Sequence, residues 1–344
     1  MGATRQHQAA TAVDPVRGAC AGDAATARSE AAADARLASL RRAVAVSRPL
    51  FWMNSASLCV VAAILAGNAP GRLAAAVAVF ATFPLNLFVH AVNDLHDRDT
   101  DARNPRKGSV EGARATEAEL RRLVALSVAL VVPFAALFAA AGSAASTAAL
   151  ALLLAVSWAY SAPPLRLKGR PGWDSVANAA YVLPFVFASL LLGVDPVPWA
   201  GVAAFALWAI ASHALTSIQD EEVDRASGLE TIATSLGRRR TALLALGIDV
   251  VVAALVAAAH PVVTLLPIAH AAIAAWVAFS TDADAPRVAY RAFIGLNFAA
   301  GFVLVTWIAL AHPGRTLWAA IAMLSLCAAV ASALAFSRGA GGEA

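Results

Sequence analysis

The 344-residue chain is 60% hydrophobic and only 14% charged, with a mean hydropathy of +0.68 and a net charge of +4. A water-soluble globule of this composition would aggregate, so soluble classes are excluded and a lipid bilayer is the expected partner. The basic balance needs no nucleic acid, because the cations gather in loops beside apolar segments.

Residues 1–44 are rich in Ala, Arg, Asp, Thr and Gln and hold no apolar stretch long enough for a secretory signal. They are expected to form a mostly disordered cytoplasmic tail. Leu37, Leu40 and Val44 fall at i, i+3 and i+7, which allows a basic amphipathic surface helix from about Ala32. The remainder, 45–338, reads as one membrane domain, with a short tail at 339–344. Ten apolar runs of roughly 17 to 25 residues can cross a bilayer as helices. They lie near 50–67, 73–93, 120–141, 144–160, 175–194, 198–219, 240–259, 262–280, 290–311 and 315–336. Pro and Gly alone separate several neighbours, as at Pro261 and Pro313, so nine spans are also compatible. Alternating loops carry 24 of the 26 Lys and Arg, and only Arg72 and Arg315 fall on the other side. The positive-inside rule then places both termini and the loops at 94–119, 161–174 and 220–239 in the cytoplasm. Cys20, Cys59 and Cys327 are scattered, two of them in apolar runs, and imply neither a disulfide framework nor a zinc site.

Carboxylates follow directly on two of these runs. A charge near the bilayer centre costs on the order of 2.5–3.5 kcal/mol even on lenient scales, so clustered acids at helix ends imply compensating cations. Asn93, Asp97 and Asp101 recur every four residues and share one helical face, with Asp94 about 100° around. Asp220 and Asp224 repeat the spacing after the sixth run. Oxygen ligands on two facing helix ends suit magnesium and a diphosphate. Asp99, Glu221 and Glu222 lie off that face and read as solvated or paired with Arg.

After the fourth run, Tyr160, Ser161, Pro163, Pro164, Arg166 and Lys168 lie on the side of the acids. The prolines stop a helix; Arg166 and Lys168 are candidates to grip phosphate oxygens, as are Arg103, Arg106 and Lys107 beside the first motif. Tyr160 and Trp52 are candidates to steady a cation with their ring faces, or else are belt aromatics at the interface. Asn54 is a polar group at membrane depth and is expected to face a cavity. His90, His96 and His213 flank the motifs without a zinc pattern.

The three segments together resemble the UbiA-type intramembrane prenyltransferases: Asn-Asp-x-x-Asp-x-x-x-Asp, Tyr-Ser-x-Pro-Pro-x-Arg-x-Lys and Asp-x-x-x-Asp-x-x-x-Gly, within roughly 46–310. The resemblance implies an all-α, polytopic bundle of nine helices around a cavity open to lipid; a tenth run departs from it. It also implies that Asn93, Asp94, Asp97, Asp101, Asp220 and Asp224 bind magnesium and a prenyl diphosphate. The loop from Asn104 to Ala113, the stretch from Ser217 to Gly237 and the segment Ser47 to Asn54 are similar to the lycopene elongases, which make fifty-carbon carotenoids. Gln219 stands where those proteins usually carry Pro. The implied donor is dimethylallyl diphosphate, the acceptor lycopene, and the location a bacterial-type plasma membrane. An aromatic or quinone-precursor acceptor, a terpene cyclase and a transporter are the alternatives. Acids confined to one surface argue against the transporter.

Overall fold

The computed structural model describes residues 15–67, 71–98, 115–257 and 261–312, and the chain divides into two units, Met1–Ala43 and Val44–Ala344. The tenth apolar run, Asp99, Asp101, Arg103, Arg106 and Lys107 lie outside the described residues.

The first unit is helical from Pro15 through Ala43 as part of α1 (Pro15–Val46), where mostly disorder with a surface helix from about Ala32 was expected. Its abundant Ala, the best helix former, accounts for this. Leu37 and Leu40 are exposed on it.

The second unit is helical throughout its described residues. After a 3-10 turn at Pro49–Phe51 come α2 (Met53–Ala66), α3 (Gly71–His96), α4 (Glu117–Ala141) and α5 (Ala144–Ser161). Then follow α6 (Trp173–Leu192), α7 (Trp199–Ser217), α8 (Glu221–Ala226), α9 (Ile232–Ala257), α10 (Pro261–Phe279) and α11 (Ala285–Ala311). Eight of these segments are long and apolar enough to span a bilayer, whereas α2 has only 14 residues because its first turn is spent on the 3-10 segment.

Local chemistry sets the boundaries. Thr116 and Glu119 form a reciprocal capping box at the start of α4, and Ser143 with Ser146 does the same for α5. Gly142 closes the tight α4–α5 turn, where a Cβ would collide with Ser146 and the Phe138 carbonyl. Pro84 interrupts the ladder of α3, and Asn86 Nδ2 reaches back to the Ala81 and Thr82 carbonyls and to Ser55 Oγ of α2.

One apolar core joins α2, α3, α4 and α6 around the rings of Phe80, Phe134, Phe138 and Phe187, with centroids 5.2–6.2 Å apart. Smaller Ala-rich cores join α7, α9 and α10. Many large apolar side chains, among them Val132, Leu152 and Val250, point outward, as lipid contact requires. Inside α6 a 3-10 stretch, Ala177–Val182, breaks the α ladder and turns Asn178 and Tyr181 toward a cavity.

Candidate active site

Asn93 and Asp94 of the first acidic motif lie in the last turn of α3 and Asp97 follows directly on it. A helix C-terminus carries a partial negative charge, so acids there need cations. Arg48 supplies one: its Nη2 donates to Asp94 Oδ1 at 2.7 Å, with Asp94 only 2% exposed. Lys168 supplies the other, as an ion pair with Asp97. Asn93 Nδ2 donates to Ser161 Oγ of α5 at 2.9 Å, which ties the motif to the segment carrying Tyr160 and Lys168. Arg48 adopts a left-handed backbone (φ 51°) as it caps the 3-10 turn at Pro49. Such a conformation in a non-glycine residue costs on the order of 1–3 kcal/mol and is typical of functional sites.

The second motif forms where α7 tightens into a 3-10 turn, Ile218–Asp220, before α8. Asp224 is buried and hydrogen-bonds Thr231; Asp220 is half-buried beside it. Glu221 instead pairs with Arg225 at 2.9 Å on the exposed side. Behind the motif, Asp174 accepts the backbone N–H of Ile232 at 2.9 Å and anchors the start of α9.

Lys168 joins the two motifs. It is 7% exposed and within electrostatic reach of Asp224, Asp94 and Arg48. Burial pulls its ammonium down to about 8, against the upward pull of Asp224 and Asp94. Arg166, the other candidate for phosphate, is exposed and forms no ion pair with an acid among the described residues. Arg166 precedes the 3-10 turn Leu167–Gly169 in a left-handed backbone (φ 40°), which sends its side chain in a different direction from that of Lys168 inside the turn.

A cavity of about 200 Å³ lies between α2, α6, α7 and α11, and Thr216 in its wall stands one turn before Asp220. Phe51, Tyr181, Phe205, Trp208 and Phe293 contribute rings to its wall, and Asn54, His213 and Thr216 contribute polar groups. Asn54 thus lines a cavity, as its depth suggests. His213 Nε2 lies 3.0 Å from the Tyr160 hydroxyl and its Nδ1 3.0 Å from Ser175 Oγ, so Tyr160 is linked to the cavity wall through this imidazole. Trp52 has a different place: its indole N–H donates to the Ser47 carbonyl at 3.0 Å and its ring meets Phe83. His90 is buried against Phe51, and His96 bonds the Val92 carbonyl.

Three groups escape the sequence reading. Arg48 reads as ordinary positive-inside charge. Asp174 looks like a lone loop acid. Asp249 of α9 and His270 of α10 are fully buried within the membrane-spanning bundle, 2.7 Å apart, with His270 against Trp208 and Phe293. The acids are therefore not confined to one surface, and that argument against a transporter does not hold. What counts against it now is descent.

Residues 55–299 match the UbiA prenyltransferase family. The chain belongs to that family. It is 34% identical over 276 residues to the C(50) beta-cyclic carotenoids biosynthesis protein LbtBC of Dietzia sp., a match covering 76% of this chain and 63% of that longer protein. It is 35% identical over 216 residues to a lycopene elongase/hydratase of Halobacterium salinarum, covering 62% and 77% of the two chains. The fold is similar to a UbiA homolog from Archaeoglobus fulgidus solved with GPP and Mg2+, with TM-score 0.56, 21% identity, and coverage of 75% of this chain and 99% of that one. It is equally similar to the apo UbiA homolog from Aeropyrum pernix (TM-score 0.56, 21% identity, 73% and 97%). The all-helical membrane bundle expected from the sequence, the family and the prenyltransferase class are thus established, and the chain is an integral membrane protein.

Proposed function

We propose that this prenyltransferase moves a prenyl group from an allylic diphosphate, with dimethylallyl diphosphate the donor, to the end of lycopene, adding five-carbon units toward a fifty-carbon carotenoid. The observation that carries the reading is Lys168: one buried cation pairs with Asp97 of the first motif and lies within electrostatic reach of Asp224 of the second. The relatives named for lycopene elongation and C(50) carotenoids support the acceptor.

The carboxylate and amide oxygens of Asn93, Asp94, Asp97, Asp220 and Asp224 are hard donors that suit magnesium, with Asp101 next in the motif's register. Bound there, the metal would neutralise charge developing on the departing pyrophosphate. Arg48 and Lys168 hold the same charge from the protein side, and their present pairing with Asp94 and Asp97 keeps both acids and cations poised without a substrate. Once the allylic carbon–oxygen bond ionises, ring faces in the wall steady the cation by about 0.5–2 kcal/mol each. The apolar surroundings keep bulk water away until the polyene attacks. The motif-bearing loops and both termini face the cytoplasm in this reading, where soluble donor is at hand.

Expression in a host that makes lycopene tests it: forty-five- and fifty-carbon pigments are expected by mass spectrometry. Untouched lycopene with a prenylated aromatic or quinone precursor would move the acceptor elsewhere within the family. A cyclised prenyl product with no acceptor would favour a terpene cyclase.

A further inference from the structure

An alkene that attacks a prenyl cation is left with a positive carbon of its own, and that charge is discharged when a neighbouring carbon gives up a proton to a base. The acids of the first motif are already committed to cations. One hydrogen-bonded chain instead joins their neighbourhood to the cavity. Tyr160 lies at the end of α5 next to Ser161, whose Oγ accepts from Asn93 Nδ2 of the first motif at 2.9 Å, and it stands within electrostatic reach of Asp224 of the second. Its hydroxyl is 3.0 Å from Nε2 of His213, whose ring meets the phenol edge-on and lines the cavity. Nδ1 of the same imidazole is 3.0 Å from Ser175 Oγ. With both ring nitrogens engaged, His213 has no lone pair left for a substrate, whereas a phenol oxygen that donates its one hydrogen can still accept another. Asp174, a further carboxylate within electrostatic reach of the phenol, joins Asp224 in favouring a proton gained here over a proton lost.

We propose that Tyr160 is the base that ends prenyl transfer, taking a proton from the acceptor cation while its own passes to His213. The inference rests on the lycopene reading above. The allylic carbon–oxygen bond of the diphosphate breaks, and the terminal double bond of the polyene bonds to the freed prenyl carbon, which leaves positive charge on the adjacent tertiary carbon. A carbon–hydrogen bond next to that carbon then breaks. Its electron pair forms the new double bond, and the proton bonds to the Tyr160 oxygen. The phenol's original proton moves to Nε2 of His213, in the tautomer whose Nδ1–H donates to Ser175 Oγ. The imidazolium returns it through the same phenol to the released pyrophosphate, which carries it away. Tyr160 thus acts by its hydroxyl and not by its ring face, and His213 is a positioning residue that acts through it.

The test gives the full chain in lipid magnesium, lycopene and dimethylallyl diphosphate with heavy oxygen at the bridging position. Scrambling of that label in recovered donor reads ionisation, and the mass of the pigments reads completed transfer. Tyr160→Phe keeps the ring and loses the hydroxyl; it is expected to lower pigment formation about 10²-fold while scrambling continues at no less than the native rate. His213→Gln can still hold the phenol but cannot take its proton, and is expected to show the same split to a smaller degree. The double variant is expected to be no slower than Tyr160→Phe, as residues acting as one unit require. Loss of packing alone would lower scrambling and pigment together. Native pigment formation in Tyr160→Phe overturns the proposal, and so does an equal fall of both readouts, which would place the tyrosine in the ionisation step. If Tyr160→Phe does not accumulate, His213→Gln decides by the same split. Either negative result leaves the acceptor reading intact, whereas a native chain that scrambles the donor without prenylating lycopene removes that reading, and this inference with it.

Discussion

Asp97 and Asp249 are both buried carboxylates, yet their partners differ in kind. Asp97 ends α3 and pairs with the ammonium of Lys168, itself shared with Asp224 and Asp94. Asp249 sits in the body of α9 and is matched to one imidazole, His270. The first arrangement is a network of charges at helix ends, which the proposed function assigns to a diphosphate and a metal ion. The second is a closed pair with no exposure, of the sort that joins membrane helices. In the proposed function it is the number of charges converging on an acid, not its burial, that sets the site apart.

The largest expected effect tests that distinction. Asp220→Asn or Asp97→Asn is expected to cut turnover about 10³-fold or more while the protein stays folded in detergent, measured as label transferred from a labelled prenyl diphosphate. Full turnover of either variant would reduce the acidic motifs to solvated helix ends. Next in size, Lys168→Met is expected to cost about 10²-fold, because it strips the shared cation from both motifs. Arg166→Gln is expected to cost no more than several-fold. Equal losses from the two would mean that Arg166 swings inward when substrate binds, and that the tight turn does not fix its direction.

For the closed pair the sign of the contrast reverses. Asp249→Ala leaves His270 without its partner and is expected to lower stability by about 1–3 kcal/mol, read as a lower Tm in detergent. Replacing both together, Asp249→Leu with His270→Phe, is expected to restore much of the loss. The products of each variant are expected to match the native ones. A changed product with an unchanged Tm would place this pair in the chemistry. Smallest of all, a cysteine introduced at Ser109 should alter neither turnover nor fold and should stay unlabelled by impermeant reagents outside intact cells. Labelling there would invert the proposed sidedness.

The two acidic motifs stand out in the chain because each follows an apolar run and repeats every four residues, and Lys168 is in the structure an ion-pair partner of Asp97 and within electrostatic reach of Asp224. Nine of the ten apolar runs reappear as helices for the same reason, their length and composition being set by the bilayer. Arg48 could not be read: an arginine at the cytoplasmic end of a span is the rule, and only the left-handed turn at its backbone aims it at Asp94. Nor could Lys168 be told from Arg166, since two cations two residues apart differ only through the left-handed backbone of the first and the 3-10 turn that follows it. Asp249 and His270 are single polar residues in separate spans, 21 positions apart, so nothing local links them.

The central claim is that the acids of the two motifs receive a diphosphate through a divalent cation, and metal removal tests it most directly. Purified protein in lipid, given labelled dimethylallyl diphosphate and lycopene, is expected to transfer label with magnesium present, to lose all transfer in excess chelator, and to regain it when magnesium is restored. Undiminished transfer in chelator, with the same membranes and donor, would contradict it.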